Sequence, residues 1–306
     1  MPKDFKTYDE LITLLESRNV MTNEHTKVQL MRESYYAIVN GYKDPFLDTK
    51  AMEKTHDDIY LEGTEFEWIY SLFSFDRELR SITFKYLTRA EATMKNSVMY
   101  AFCDVYPDPN AYLDRSSYVD PKDMLVAKGY KGNKNLLYQK NLTTLMKILN
   151  SKVGSKGKPF TKHYMDTYGF VPLWVLQNDL TFGNISNFYQ LQKRSIQNHT
   201  CKLILKAKEA PNNERLTPDQ LLRIFSVLVD FRNICAHDER LYCAKVGRSR
   251  DTDFSRMVFH LAHILPMQEI EQFINEISAL FIRHQENLHV VTAQSLLQGM
   301  GFSISD

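Results

Sequence analysis

The sequence predicts an all-α protein, and three observations carry that prediction. Apolar residues at three-and-four spacing run without a proline from residue 64 to about 101, through Phe66, Ile69, Phe73, Leu79, Ile82, Tyr86, Ala90, Met94 and Val98. A second row, Leu221, Ile224, Phe225, Leu228, Phe231 and Cys235, opens with Thr217-Pro218-Asp219-Gln220. That opening is a helix start, with Thr as N-cap, Pro in the first turn and Gln closing a capping box. Finally, 11 glycines and 10 prolines in 306 residues leave no low-complexity linker.

Taken in order, residues 5–17 and 24–39 read as two short helices, the first on Leu11, Ile12, Leu14 and Leu15, the second on Val28, Leu30, Met31, Tyr35 and Ile38. Asn40-Gly41-Tyr42 and Asp44-Pro45 break the second. Tyr35, Tyr36 and Tyr42 read as packing residues, with base stacking as the alternative. The long stripe from residue 64 follows an acidic approach that reads as a solvated face, and its length suits the spine of a bundle. Within it, Asp76-Arg77-Glu78-Leu79-Arg80 places charge among apolar residues and reads as a local salt-bridge network. Pro107-Asp108-Pro109 ends it.

Composition then changes. Residues 121–163 hold ten lysines against one acid, Asp123, in a chain of net charge +1. Such a basic insert is an electrostatic footprint suited to a polyanion, with a solvated surface as the plain alternative. Two glycine-bearing loops carry Lys128, Lys131 and Lys134, and Lys156 and Lys158; neither fits the phosphate loop of a nucleotide-binding site. Lys193 and Arg194 begin a further run of five positive charges. These seven side chains are the candidate RNA contacts. Between the two basic regions, Phe182-Gly183-Asn184 reads as a turn, with Gly183 ending one helix and Asn184 or Ser186 capping the next. Residues 253–264 and 270–286 read as amphipathic helices, and 290–306 as a tail that caps the bundle or frays.

With 43% hydrophobic and 25% charged residues, no apolar run near 18 residues and no signal-peptide core, the chain reads as cytoplasmic, without a membrane partner. Cys103, Cys201, Cys235 and Cys243 are scattered, as reduced thiols would be. His237, His260 and His263 have no patterned carboxylate partner, so neither a metal nor a cofactor is expected.

The chemistry concentrates in residues 228–242, L-V-D-F-R-N-I-C-A-H-D-E-R-L-Y. On a helix Asn233 and His237 stack four apart, with Arg232 about 100° round from Asn233. An imidazole can take or give a proton near neutrality, a guanidinium can hold a phosphate, and an amide can fix the imidazole tautomer or hold the phosphate. Attack on a phosphodiester suits that trio. Spacing alone leaves a second reading open, in which His237 satisfies the last helix carbonyls and Arg232 pairs with Asp230 or Glu239.

R-N-I-C-A-H followed by E-R-L-Y resembles the R-N-x-x-A-H signature of the bacterial abortive-infection (Abi-like, AbiD/AbiF) proteins of the HEPN ribonuclease superfamily. Three further blocks resemble the same family in the same order. They are Y-Y-A-I-V-N-G-Y at 35–42, F-E-W-I-Y-S-L-F-S-F-D-R-E-L-R at 66–80 and W-V-L-Q-N-D-L-T-F-G-N-I-S-N-F-Y-Q-L at 174–191. The resemblance implies a HEPN-like helical bundle over residues 61–306, preceded by an N-terminal helical segment at 1–60 and interrupted by the lysine-rich insert at about 105–165. It implies metal-independent RNA cleavage at Arg232, Asn233 and His237, a homodimer in which two such helices face each other, and a role in phage defence. It also permits a protein that holds a structured small RNA without cutting it. Asp238 stands where many relatives carry a second His.

Overall fold

The computed structural model describes residues 4–302 apart from 56, 128, 155, 248, 289, 290 and 292, with the backbone alone at 54 and 55. Thirteen α-helices order these residues: α1 (Tyr8–Glu16), α2 (Thr26–Arg32), α3 (Thr49–Thr55), α4 (Phe66–Val105), α5 (Lys134–Val153), α6 (Pro159–Tyr168), α7 (Leu173–Leu176), α8 (Phe182–Gln190), α9 (Arg194–Ala207), α10 (Pro218–Ala236), α11 (Phe254–Ala262), α12 (Met267–His284) and α13 (Ala293–Gly299). The strand content of the described residues is one short parallel pair, β1 (Val20–Met21) with β2 (Thr64–Glu65), besides two isolated bridges. The all-α expectation therefore holds.

Helix α4 is the spine. Its 40 residues span about 60 Å at 1.5 Å per residue. Ile69, Leu79, Ala90, Met94 and Val98 of the stripe read from the sequence are fully buried along it, as are Leu72 and Leu87, while Ile82 is half-buried. The helices α9, α12 and α10 pack against it. It stops at Val105, two residues before Pro107. Leu15, Val20, Ile38, Val39 and Phe46 from the N-terminal region share its core.

Helix boundaries differ from the sequence expectation in places. The helix read at 24–39 stops at Arg32, because Glu33 turns extended and pairs with Arg77 of α4 at 2.6 Å. A π-helical turn, Tyr36–Asn40, follows and buries both Ile38 and Val39. Tyr42 beyond it is buried, whereas Tyr36 is exposed. Gly183 does not end a helix: Thr181 caps α8 in a capping box with Asn184, which leaves Gly183 in its first turn. The basic insert is mostly helical, with α5 packed on α8 and α6 on α5. At the far end Leu296 and Met300 are buried, and Met300 O accepts from Ser255 N at 2.9 Å, so α13 closes over the start of α11. Residues 303–306 lie outside the described residues.

Candidate functional site

Helix α10 begins as its sequence dictates. Thr217 Oγ1 accepts from Gln220 N and Gln220 Oε1 accepts from Thr217 N, with Pro218 at the first position. Leu221, Ile224, Phe225, Leu228 and Phe231 bury the opposite face. At the other end His237 is the C-cap, its backbone N–H donating to Asn233 O at 3.0 Å. Asp238 then takes a left-handed φ of 55°, a conformation that Asp tolerates better than most residues. The His237 and Asn233 side chains are exposed, and neither has a hydrogen-bond partner among the described residues. The imidazole thus does not satisfy the helix carbonyls.

Arg232 does not pair with Asp230 or Glu239. Its Nε donates to Glu91 Oε2 of α4 at 3.1 Å, and Glu91, itself buried, also holds Lys95 at 2.7 Å. The reason is direction: a residue one step from the exposed Asn233 is turned about 100° around the axis, toward α4. The remaining guanidinium nitrogens stay free of partners among the described residues. No side-chain hydrogen bond joins Arg232, Asn233 and His237 to one another.

What fixes the helix end is a buried network that local reading of Asp76 and Arg80 did not anticipate in extent. Asp76 of α4 is 0% exposed. Its carboxylate accepts from Tyr42 Oη at 2.7 Å, Arg80 Nη1 at 2.8 Å, Tyr242 N at 2.7 Å and Leu241 N at 3.0 Å. Arg80 Nη1 also donates to Tyr42 Oη at 2.9 Å, and its Nη2 reaches Asp238 Oδ1 at 3.3 Å. Burial pushes the Asp76 carboxyl above its ordinary value, against the downward pull of Tyr42, the Leu241 and Tyr242 amides and Arg80. Three of the four sequence blocks meet here. The tyrosine of the first, the acid and arginine of the second and the L-Y of the last lock the segment that leaves His237. The signal was charge at 76 and 80 inside an apolar stripe; Tyr42 lies 34 residues before Asp76, and the partners at 238, 241 and 242 lie more than 150 residues beyond.

The candidate RNA contacts divide. Lys134 and Arg194 come together with Lys122 around one pocket, where Arg194 pairs with Asp219 at 2.7 Å. Lys193 sits with Nζ 5.3 Å from the Tyr106 ring. Lys158 turns to another neighbour, donating its backbone N to Asp179 at 2.9 Å and its Nζ to Asn178 O at 3.1 Å. Lys131 and Lys156 are exposed, and Lys128 lies outside the described residues. The pocket of Lys134 and Arg194 adjoins a groove of about 1020 Å3, sharing Val126 and Asp219 with it. Asp219, Arg223, Ser226 and Asp230 of α10 line that groove. Continued at three-and-four spacing, the row arrives at Asn233 and His237.

Among the described residues no helix is long and apolar enough to cross a membrane. A family profile described as Abi-like protein matches residues 29–243, which hold the Tyr42, Asp76, Arg80 and Glu91 contacts and all of α10 through His237. Comparison with curated proteins and with solved structures found no match.

Proposed function

Because this chain belongs to the Abi-like protein family, we propose that it serves abortive-infection defence by cutting RNA at the C-terminal end of α10, as a HEPN-type ribonuclease of the AbiD/AbiF kind. The observation that carries the reading is the exposed, unpartnered pair Asn233 and His237 on a helix end whose following segment is fixed by the Asp76 network. Reactive groups that are free while their support is locked are what preorganised catalysis needs.

In the proposed reaction His237 takes the proton of a ribose 2′-hydroxyl. The 2′-oxygen bonds to phosphorus, the bond to the 5′-oxygen breaks, and that oxygen receives a proton from an imidazolium. A cyclic phosphate stays on the upstream product. Arg232 offers its two Nη groups to the phosphate while Glu91 occupies Nε. The steps ask for no metal ion. Five residues of ideal helix set Arg232 and His237 about 140° apart, which favours a homodimer in which two α10 ends meet over one phosphate. RNA would reach the site past Lys134 and Arg194.

A second reading is an RNA-holding protein without cleavage, in which Arg232 contacts a phosphate that is not cut. The deciding experiment incubates purified wild type and His237→Ala with a labelled mixed RNA pool in EDTA. Cleavage by the wild type, falling by about 10² to 10⁴ in the variant, is expected. Full cleavage by His237→Ala would overturn the mechanism.

A further inference from the structure

The groove beside α10 is more polar than packing alone requires, and its hydrogen-bonding capacity is not spent. Asp230 is half-buried and, among the described residues, has neither a hydrogen bond nor an ion pair. Burial pushes its carboxyl above the ordinary value, with no partner pulling it back. Across the groove on α8, Asn187 donates Nδ2 to Asn141 O at 3.2 Å, so its amide orientation is set, while its Oδ1 is buried without a partner. His260 of α11 also lines the groove and has a buried Nδ1 without a partner. Burial and the neighbouring His263, Arg223 and Arg256 hold its pKa down at about 4, so the ring is neutral at physiological pH.

A half-buried carboxylate that lines a groove without a protein donor can take its donors from a ligand that displaces water. The Asp230 carboxylate is acceptor-only and lines the groove, whereas the Asn187 Oδ1 lies behind its surface. Of the four RNA bases, guanine alone offers adjacent N1–H and N2–H2 donors on one edge, the bidentate match for a carboxylate; adenine and cytosine offer one amino group and uracil one imide. The neutral His260 ring adds a group that can donate or accept without a charge. In the adjoining pocket stand Lys122, Lys134 and Arg194, the last paired with Asp219 at 2.7 Å, and the two lysines supply positive charge that attracts a phosphate.

We propose that this groove is a base-specific subsite that takes an unpaired guanine of the RNA, with Asp230 reading its N1–H and N2–H2 edge. The inference deepens the proposed ribonuclease reading and rests on it for its biological use. Asp230 stands seven residues, two helical turns, from His237 on the same face of α10. The groove therefore selects a guanine near the scissile phosphate.

The test separates the groove from the chemistry by using the cleavage-disabled His237→Ala protein and measuring the affinities of GMP, AMP, CMP and UMP by calorimetry. GMP is expected to bind about tenfold or more tightly than the other three. Asp230→Asn, which replaces one acceptor with a donor at the same volume, should bring GMP to the level of the others while leaving AMP unchanged. Equal affinities for all four, binding of none at millimolar concentration, or an unchanged GMP preference in Asp230→Asn would overturn the subsite. A failure of wild-type cleavage alone would count against the ribonuclease reading and leave the nucleotide result standing.

Discussion

Two carboxylates on either side of the helix end follow opposite rules. Asp76 is fully buried and receives donors from Tyr42, Arg80 and two backbone amides. Asp230, half-buried on the groove face of α10, receives none among the described residues. The same contrast separates Arg232, tied to Glu91, from the Asn233 and His237 side chains, which have no hydrogen-bond partner among the described residues. On the α4 side, Asp76 and Glu91 have protein partners that hold the structure. On the open side, Asp230, Asn233 and His237 have none among the described residues and are free to meet a ligand.

That comparison breaks most readily at Asp76. Asp76→Ala leaves Arg80, whose side chain is 4% exposed, without its buried counter-charge, and should cost about 3 to 5 kcal/mol in denaturant unfolding. A loss below 1 kcal/mol would show that the network is not what fixes the loop. Arg232→Ala leaves buried Glu91 with Lys95 alone and should cost about 1 to 3 kcal/mol, besides impairing cleavage. Tyr42→Phe removes one donor to Asp76 and one acceptor for Arg80, for about 1 kcal/mol by the same measurement. His237→Ala sharpens the contrast from the other side. An exposed side chain without partners should change stability by no more than about 0.5 kcal/mol, so a large thermal shift would mean that His237 is structural.

Periodicity made the framework legible. The α4 stripe and the Thr217–Gln220 capping box are local patterns, and the structure realises both. The four ordered blocks pointed to the family matched over residues 29–243. What sequence could not carry was distance. Glu91 and Arg232 are 141 residues apart, and Asp76 and Tyr242 are 166 apart. Choosing Asp230 or Glu239 as the partner of Arg232 followed from looking only along one helix, whereas tertiary packing supplied the acid from α4. The lysine-rich insert shows the same limit. Its charge density was plain, yet Lys134 faces Arg194 near the groove while Lys158 is turned to Asn178 and Asp179. Charge counts carry no direction; helices α5 and α6 assign it.

The central claim, that the open end of α10 is where RNA is cut, is tested most directly by a paired binding and cleavage assay. Wild type and the Arg232→Ala/His237→Ala double variant, each confirmed folded, are compared on the same labelled RNA pool in EDTA. The variant is expected to retain RNA binding while cleavage disappears. Binding by both proteins with cleavage by neither would contradict it and assign the chain to the RNA-holding reading.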